Sequence, residues 1–268
     1  MGFLTSLVAM PWIAVVLGTL LLAATAAADP LSADRPGVAS PPDVVAPGAI
    51  QFEGGLSFER ETHGSGPNVN TITVPGGLLR VGLLPPLEFR VSADGYVLEE
   101  RSGGNDRSSG SDLAIGSRAR LLDQQGIRPA TALEFDLSLP TGSDAVTSDG
   151  VDPSGLLLVE WGFCDRFALD GNLGFASVSL GKHDSGRAFR VAPSLSLGAS
   201  IGARANVFIE YYATFGDRGV ADQHAVDGGF SWLVDDNLQL DVSVGAGLDH
   251  AAPDFSVSAG FAWRFFLP

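Results

Sequence analysis

The stretch Asp254-Phe-Ser-Val-Ser-Ala-Gly-Phe-Ala-Trp-Arg-Phe265 decides how this chain is read. Phe255, Val257, Ala259, Phe261, Trp263 and Phe265 alternate with Asp254, Ser256, Ser258, Gly260, Ala262 and Arg264. A strand needs such alternation when one face meets hydrocarbon and the other a polar interior. Working back towards the N-terminus, the same period of two recurs. The segment from Ile50 places Ile50, Phe52, Leu56 and Phe58 on one face and Gln51, Glu53, Ser57 and Glu59 on the other. Leu87, Phe89 and Val91 face Glu88, Arg90 and Ser92 in the same way, and Leu238, Leu240, Val242 and Val244 form another such row. About twelve segments of roughly ten residues follow one another, the length a tilted membrane strand requires. Pro75-Gly76-Gly77 interrupts the second of them and predicts a bulge or kink.

The connections alternate in length. Short ones fall at Leu84-Pro85-Pro86, Cys164-Asp165, Gly202-Ala203-Arg204 and Asp235-Asp236-Asn237, with Asp123 to Arg128 somewhat longer. Between them lie the longer polar stretches 61–70, 99–111, 140–152, 181–187, 216–222 and 249–253. Short turns at one end and long loops at the other define an outer-membrane arrangement, with the short turns periplasmic. The aromatics agree: Trp161, Trp232, Trp263 and Phe265 fall outward at the short-turn end, and Phe58, Phe189, Phe215 and Phe255 outward at the other. Two rings of aromatics at the two water boundaries are what a bilayer selects. A soluble sandwich would bury its tryptophans near mid-strand. The fold class read from these patterns is all-β, a transmembrane antiparallel up-and-down β-barrel of about twelve strands.

Residues 3–27 are almost wholly apolar and end in Ala26-Ala27-Ala28 before Asp29, which predicts a signal peptide over 1–28, cleaved after Ala28. The start, Met1 to Ser6, lacks the usual Lys or Arg. The Pro-rich stretch 29–48 cannot sustain regular pairing and is expected to be an extended periplasmic leader. The barrel is then expected over 49–268, in the outer membrane. The net charge of −15 argues against a nucleic-acid partner. It suits a cation-attracting lumen, or loops that bind divalent ions among lipopolysaccharide phosphates. The expected partners are outer-membrane lipid and lipopolysaccharide, and the barrel-assembly machinery acting on the C-terminal strand. The single Cys164 excludes an intramolecular disulfide.

Several stretches resemble a family of bacterial outer-membrane, transporter-like barrels linked to the MetA-pathway of phenol degradation. They are Phe52-Glu-Gly-Gly-Leu-Ser-Phe-Glu-Arg60, Ser111-Asp-Leu-Ala-Ile-Gly116, Leu139-Pro-Thr-Gly-Ser-Asp144, Val151-Asp-Pro-Ser154, Asp236-Asn-Leu-Gln-Leu-Asp241 and Gly260-Phe-Ala-Trp-Arg-Phe265. The resemblance covers about Gln51 to Phe265. It implies an outer-membrane location and a transport role, and supplies neither a substrate nor catalytic residues.

Charge collects on the inward positions: Glu53, Arg80, Glu88, Arg90, Asp94, Asp112, Arg118, Arg120, Glu134, Asp136, Glu160, Arg166, Asp170, Arg190, Glu210, Asp227, Asp241 and Arg264. These would line a pore, with a mild cation preference because acids outnumber arginines. Alternatively they form ion pairs that fill the lumen, since register places Arg80 near Glu88 and Arg118 near Glu134. His63, His183, His224 and His250 sit in or near the long loops, beside Asp184 and Asp249 in two cases, without nucleophile or metal spacing. No cofactor or metal is expected. The leading expectation is a passive channel for small aromatic or apolar solutes. A packed-lumen structural or binding barrel displaying its outer loops is the alternative, and a rim hydrolase the third reading.

Overall fold

The computed structural model describes residues 29–62, 68–103, 106–143, 147–164, 166–181 and 186–267. Fourteen strands make one antiparallel sheet: β1 (Ala49–Glu61), β2 (Val69–Leu84), β3 (Leu87–Ala93), β4 (Tyr96–Arg101), β5 (Arg107–Gly110), β6 (Leu113–Leu122), β7 (Ala130–Leu139), β8 (Asp152–Phe163), β9 (Phe167–Ser179), β10 (Arg187–Ile201), β11 (Ala205–Gly216), β12 (Gln223–Asp235), β13 (Leu238–Gly247) and β14 (Phe255–Phe266). The sheet closes because β1 pairs with both β2 and β14, from Ala49↔Phe266 to Arg60↔Phe255. No described residue lies in a helix. The predicted signal peptide lies outside the described residues.

Twelve staves build the wall, as the sequence predicts, because β3 with β4 and β5 with β6 are each one stave broken once. The register runs straight across both breaks: β2 pairs Gly77↔Ala93 with β3 and Val74↔Tyr96 with β4. Likewise Ala93↔Leu113 joins β3 to β6, and Tyr96↔Gly110 joins β4 to β5. The break has a local cause. Pro75 has no N–H to give the ladder, and Gly95 opposite it adopts φ +82°, a conformation that glycine reaches without strain. The bulge expected at Pro75 is present, as a register shift of β2 against β1 between Gly55 and Ser57.

Burial is inverted relative to a water-soluble protein. Arg80, Arg118, Gln51, Glu53, Glu88 and Glu210 are among the largest fully buried side chains. Leu133, Phe135, Leu195, Ile209, Val242, Val244 and Phe261 stand exposed on the outside. Such a surface is stable only against hydrocarbon. Trp161, Trp232 and Trp263 lie exposed on the outer face at the short-turn end, and Phe189, Phe215 and Phe255 at the long-loop end. Trp263–Phe265 and Trp161–Phe163 pack at centroid distances of 5.5 and 5.9 Å along the first ring.

Candidate functional site: the lumen and its N-terminal segment

Four arginines project inward from adjacent staves: Arg80 from β2, Arg90 from β3, and Arg118 and Arg120 from β6. The strand alternation that turns Val81, Phe89 and Ala119 outward or aside commits these neighbours to the lumen. Buried guanidinium groups persist only where carboxylates meet them. Arg80 Nε donates to Glu88 Oε1 at 3.0 Å, and its Nη1 to Glu53 Oε1 at 3.1 Å. Arg90 Nη1 donates to Glu88 Oε1 at 2.7 Å, and Arg118 Nε to Glu134 Oε2 at 2.7 Å. Both pairings that the register suggested, Arg80 with Glu88 and Arg118 with Glu134, are present.

The centre of this cluster is a residue from outside the wall. Asp34 accepts from Arg118 Nη1 and Nη2, both at 2.8 Å, and from Arg90 Nη2 at 2.6 Å, with Arg80 Nη1 at 3.3 Å. Burial alone would raise its carboxyl, but the guanidinium groups of Arg118, Arg80 and Arg90 outweigh it and hold the group well below the usual carboxylate range.

Residues 29–48 were expected to be a periplasmic leader; the structure corrects this, since the segment loops into the lumen from the short-turn end and returns. Leu31 N–H donates to the carbonyl of Asp236 in the β12–β13 turn, and Arg264 Nη2 holds the carbonyl of Asp29. Asp34 and Arg35 N–H donate to Glu53 Oε2 at 3.0 and 3.1 Å, while Arg35 Nη2 pairs with Asp241 at 2.9 Å. Val38 and Ala39 N–H donate to the two oxygens of Glu210, and Ser40 exchanges two hydrogen bonds with Asn172 in mid-β9. Asp43 then pairs with Arg120, and Val45 N–H donates to Glu88 Oε2 before the chain enters β1. The prolines that forbid strand pairing leave this bent backbone with its donors free for wall carboxylates. Two inward glycines facing one another across β1 and β14, Gly55 and Gly260, make room for Arg35: a Cβ on Gly55 would stand 2.7 Å from its Cζ.

One flank of the lumen stays open beside the segment. A cavity of about 470 Å³ lies between residues 31–41 and the β8–β12 wall, lined by Glu160, Asp170, Glu210, Arg166, Arg204 and Phe208. Among the described residues, Glu160, Asp170 and Asp227 take part in no salt bridge, so carboxyl groups without an arginine partner collect on this flank, while Asp136 on β7 lies towards the arginine cluster. Asp94 and Asp112 sit by the long-loop end instead. There Asp112 accepts from Gly142 N–H at 2.8 Å and from Thr147 and Ser148, pinning the loop after β7. Arg190 is half-buried on β10, and Arg264 is spent on Asn237 and the turn carbonyl of Asp236.

His224 and His250 do not converge on a metal: no group of three or more His, Cys, Asp or Glu able to hold one occurs among the described residues. His224 Nδ1 meets the Tyr211 hydroxyl at 2.6 Å and its ring packs against Phe215, on the lipid-facing side of the rim. His63 and His183 lie outside the described residues. Sequence reasoning missed Asp34, Arg35, Asp43 and Asn172. A signal existed for the first two, adjacent opposite charges in an otherwise small and apolar Pro-rich stretch.

A closed antiparallel barrel with an apolar outside, two aromatic rings and a charged lumen is the fold of the outer-membrane β-barrels. The chain belongs to the family described as "MetA-pathway of phenol degradation", whose profile matches residues 33–265 and so takes in the lumen segment as well as the wall. It is similar in fold to the COG4313 outer membrane channel from Pseudomonas putida F1, at 14% identity over 83% of this chain and 97% of that one, with a TM-score of 0.65. It is also similar to the translocator domain of the autotransporter NalP from Neisseria meningitidis, at 10% identity over 83% and 90% of the two chains, with a TM-score of 0.55. No curated protein matches the chain.

Proposed function

We propose that this protein is a passive outer-membrane channel for small solutes, gated from the periplasmic side by its own residues 29–48, with no enzymatic activity. Family membership and the channel-bearing fold of the Pseudomonas putida protein support the class. The observation that carries the gate is the nature of the contacts. The segment is held by hydrogen bonds and ion pairs to wall side chains, and beside it a 470 Å³ cavity remains. Hydrogen bonds and ion pairs of this kind can be made again with a polar solute that enters the lumen, whereas interlocked apolar packing cannot. With the segment displaced, the inward acids exceed the inward arginines, so the open lumen prefers small cations. Delivery by an N-terminal signal peptide and assembly through β14 complete this reading.

Single-channel recording of the refolded protein in a planar bilayer under a salt gradient tests it. Rare openings by the full protein, and frequent cation-preferring openings after removal of residues 29–46, are the expected result. A correctly inserted barrel that stays silent after this removal would establish the packed-lumen alternative.

A further inference from the structure

We propose that Arg118, Arg90 and Glu53 form a recognition site for a small zwitterion whose ammonium and carboxylate are spaced as in a β-amino acid, and that Asp34 fills this site at rest as an internal surrogate. The inference rests on the channel reading above and adds the class of solute that opens the gate. The covalent path within Asp34 from its backbone nitrogen through Cα and Cβ to the carboxylate carbon is that of β-alanine. Its nitrogen donates to Glu53 Oε2 at 3.0 Å while its carboxylate takes the two-pronged grip of Arg118 and a third bond from Arg90 Nη2. Two parallel N–H···O bonds from one guanidinium are the geometry that selects carboxylates.

The receptor side is held in place without the segment. Glu53 Oε1 is engaged by Arg80 Nη1 and Gln51 Nε2, at 3.1 and 2.9 Å, and Arg118 Nε by Glu134. Arg80 and Arg118 are fully buried and Arg90 is 6% exposed with the segment in place, and the wall contacts that do not involve it are those to Glu53, Glu88 and Glu134. Departure of Asp34 would strip Glu53 Oε2 of both its N–H donors and Arg90 Nη2 of its hydrogen-bond acceptor among the described residues. Unpaired polar groups at such depth are costly and call for replacements. A β-amino acid supplies both sets at once. A simple carboxylate leaves Glu53 Oε2 without a donor and must pass the carboxyl-rich flank of the lumen, and a simple amine leaves Arg118 Nη1 and Arg90 Nη2 without the acceptors that the segment supplied.

Single-channel recording of the full protein with β-alanine, propionate or n-propylamine added in turn reads this directly. β-Alanine should raise the opening frequency about tenfold, the response expected of a ligand that competes for the state holding the gate shut, and the two half-ligands by less than about twofold. The variant Asp34→Ala should open without ligand and show brief current interruptions when β-alanine is added, its folding verified by a heat-dependent shift in gel mobility. An open Asp34→Ala channel indifferent to β-alanine, or a wild type answering propionate equally well, overturns the zwitterion site and leaves the channel standing. A folded Asp34→Ala protein that stays silent although removal of residues 29–46 opens the barrel overturns the site, because the other wall contacts then hold the segment; silence of both overturns the channel reading itself.

Discussion

Asp34 shows how one carboxylate can lock an element in place and how that lock depends on pH. Its folded-state pKa lies below the usual value near 3.8 because three guanidinium groups favour the charged form. A depressed carboxylate contributes docking stability that is complete above the ordinary value and is lost as pH falls through the depressed one. Asp34's contribution to the closed state should therefore be constant from pH 8 down to about pH 4.5 and be lost only at strongly acid pH. Opening frequency measured across that range checks this, and a rise between pH 7 and pH 5 would show that release is set by another of the segment's partners, such as Glu210, and not by Asp34. At this scale the sequence was legible for the wall residues, whose inward or outward aim follows from parity alone. What Asp34, Arg35 and Asp43 bind was not legible. Their partners Arg118, Asp241 and Arg120 lie 84, 206 and 77 positions away, and no local pattern encodes so distant an encounter.

At the scale of elements, the twelve staves followed from the period of two, and the turn lengths fixed their order, because consecutive antiparallel strands joined by short turns must be neighbours. The breaks at 94–95 and 111–112 were hidden because alternation continues through them: the register holds while the ladder is interrupted. Beyond the break β4 and β5 continue on the long-loop side as a hairpin that pairs with the wall along β2, from Val69↔Arg101 to Val74↔Tyr96, and joins β3 where Gly95 faces Pro75. A Cβ on Gly95 would fall onto the Pro75 carbonyl, and φ +82° is closed to branched side chains. Gly95→Val should cost about 1–3 kcal/mol locally. Trypsin should then cut faster after Arg101 and Arg107, while the heat-dependent mobility shift of the barrel stays where it was. The Pro-rich segment misled at this same scale. Its composition correctly excluded regular pairing, but lack of pairing is compatible both with solvent and with a lumen lined by acceptors such as Glu53 and Glu210.

Across the whole molecule the polar inside and apolar outside make the bilayer part of the fold. Val242 stands at the middle of β13, exposed on the apolar band. Replacing it with arginine should destabilise the inserted barrel by about 2–4 kcal/mol, read from urea titrations in lipid vesicles. The aromatic rings made this plan legible early, because Trp161, Trp232 and Trp263 share both an end and a face. One consequence follows from the way residues 46–49 run without interruption into β1. A segment dislodged from the arginines cannot diffuse away. The covalent link keeps it near its site at an effective concentration on the order of millimolar, so rebinding is unimolecular. In the proposed gate each opening is therefore self-terminating, its duration set by the tether and the proposed occupant of the site, and independent of how many copies the membrane holds.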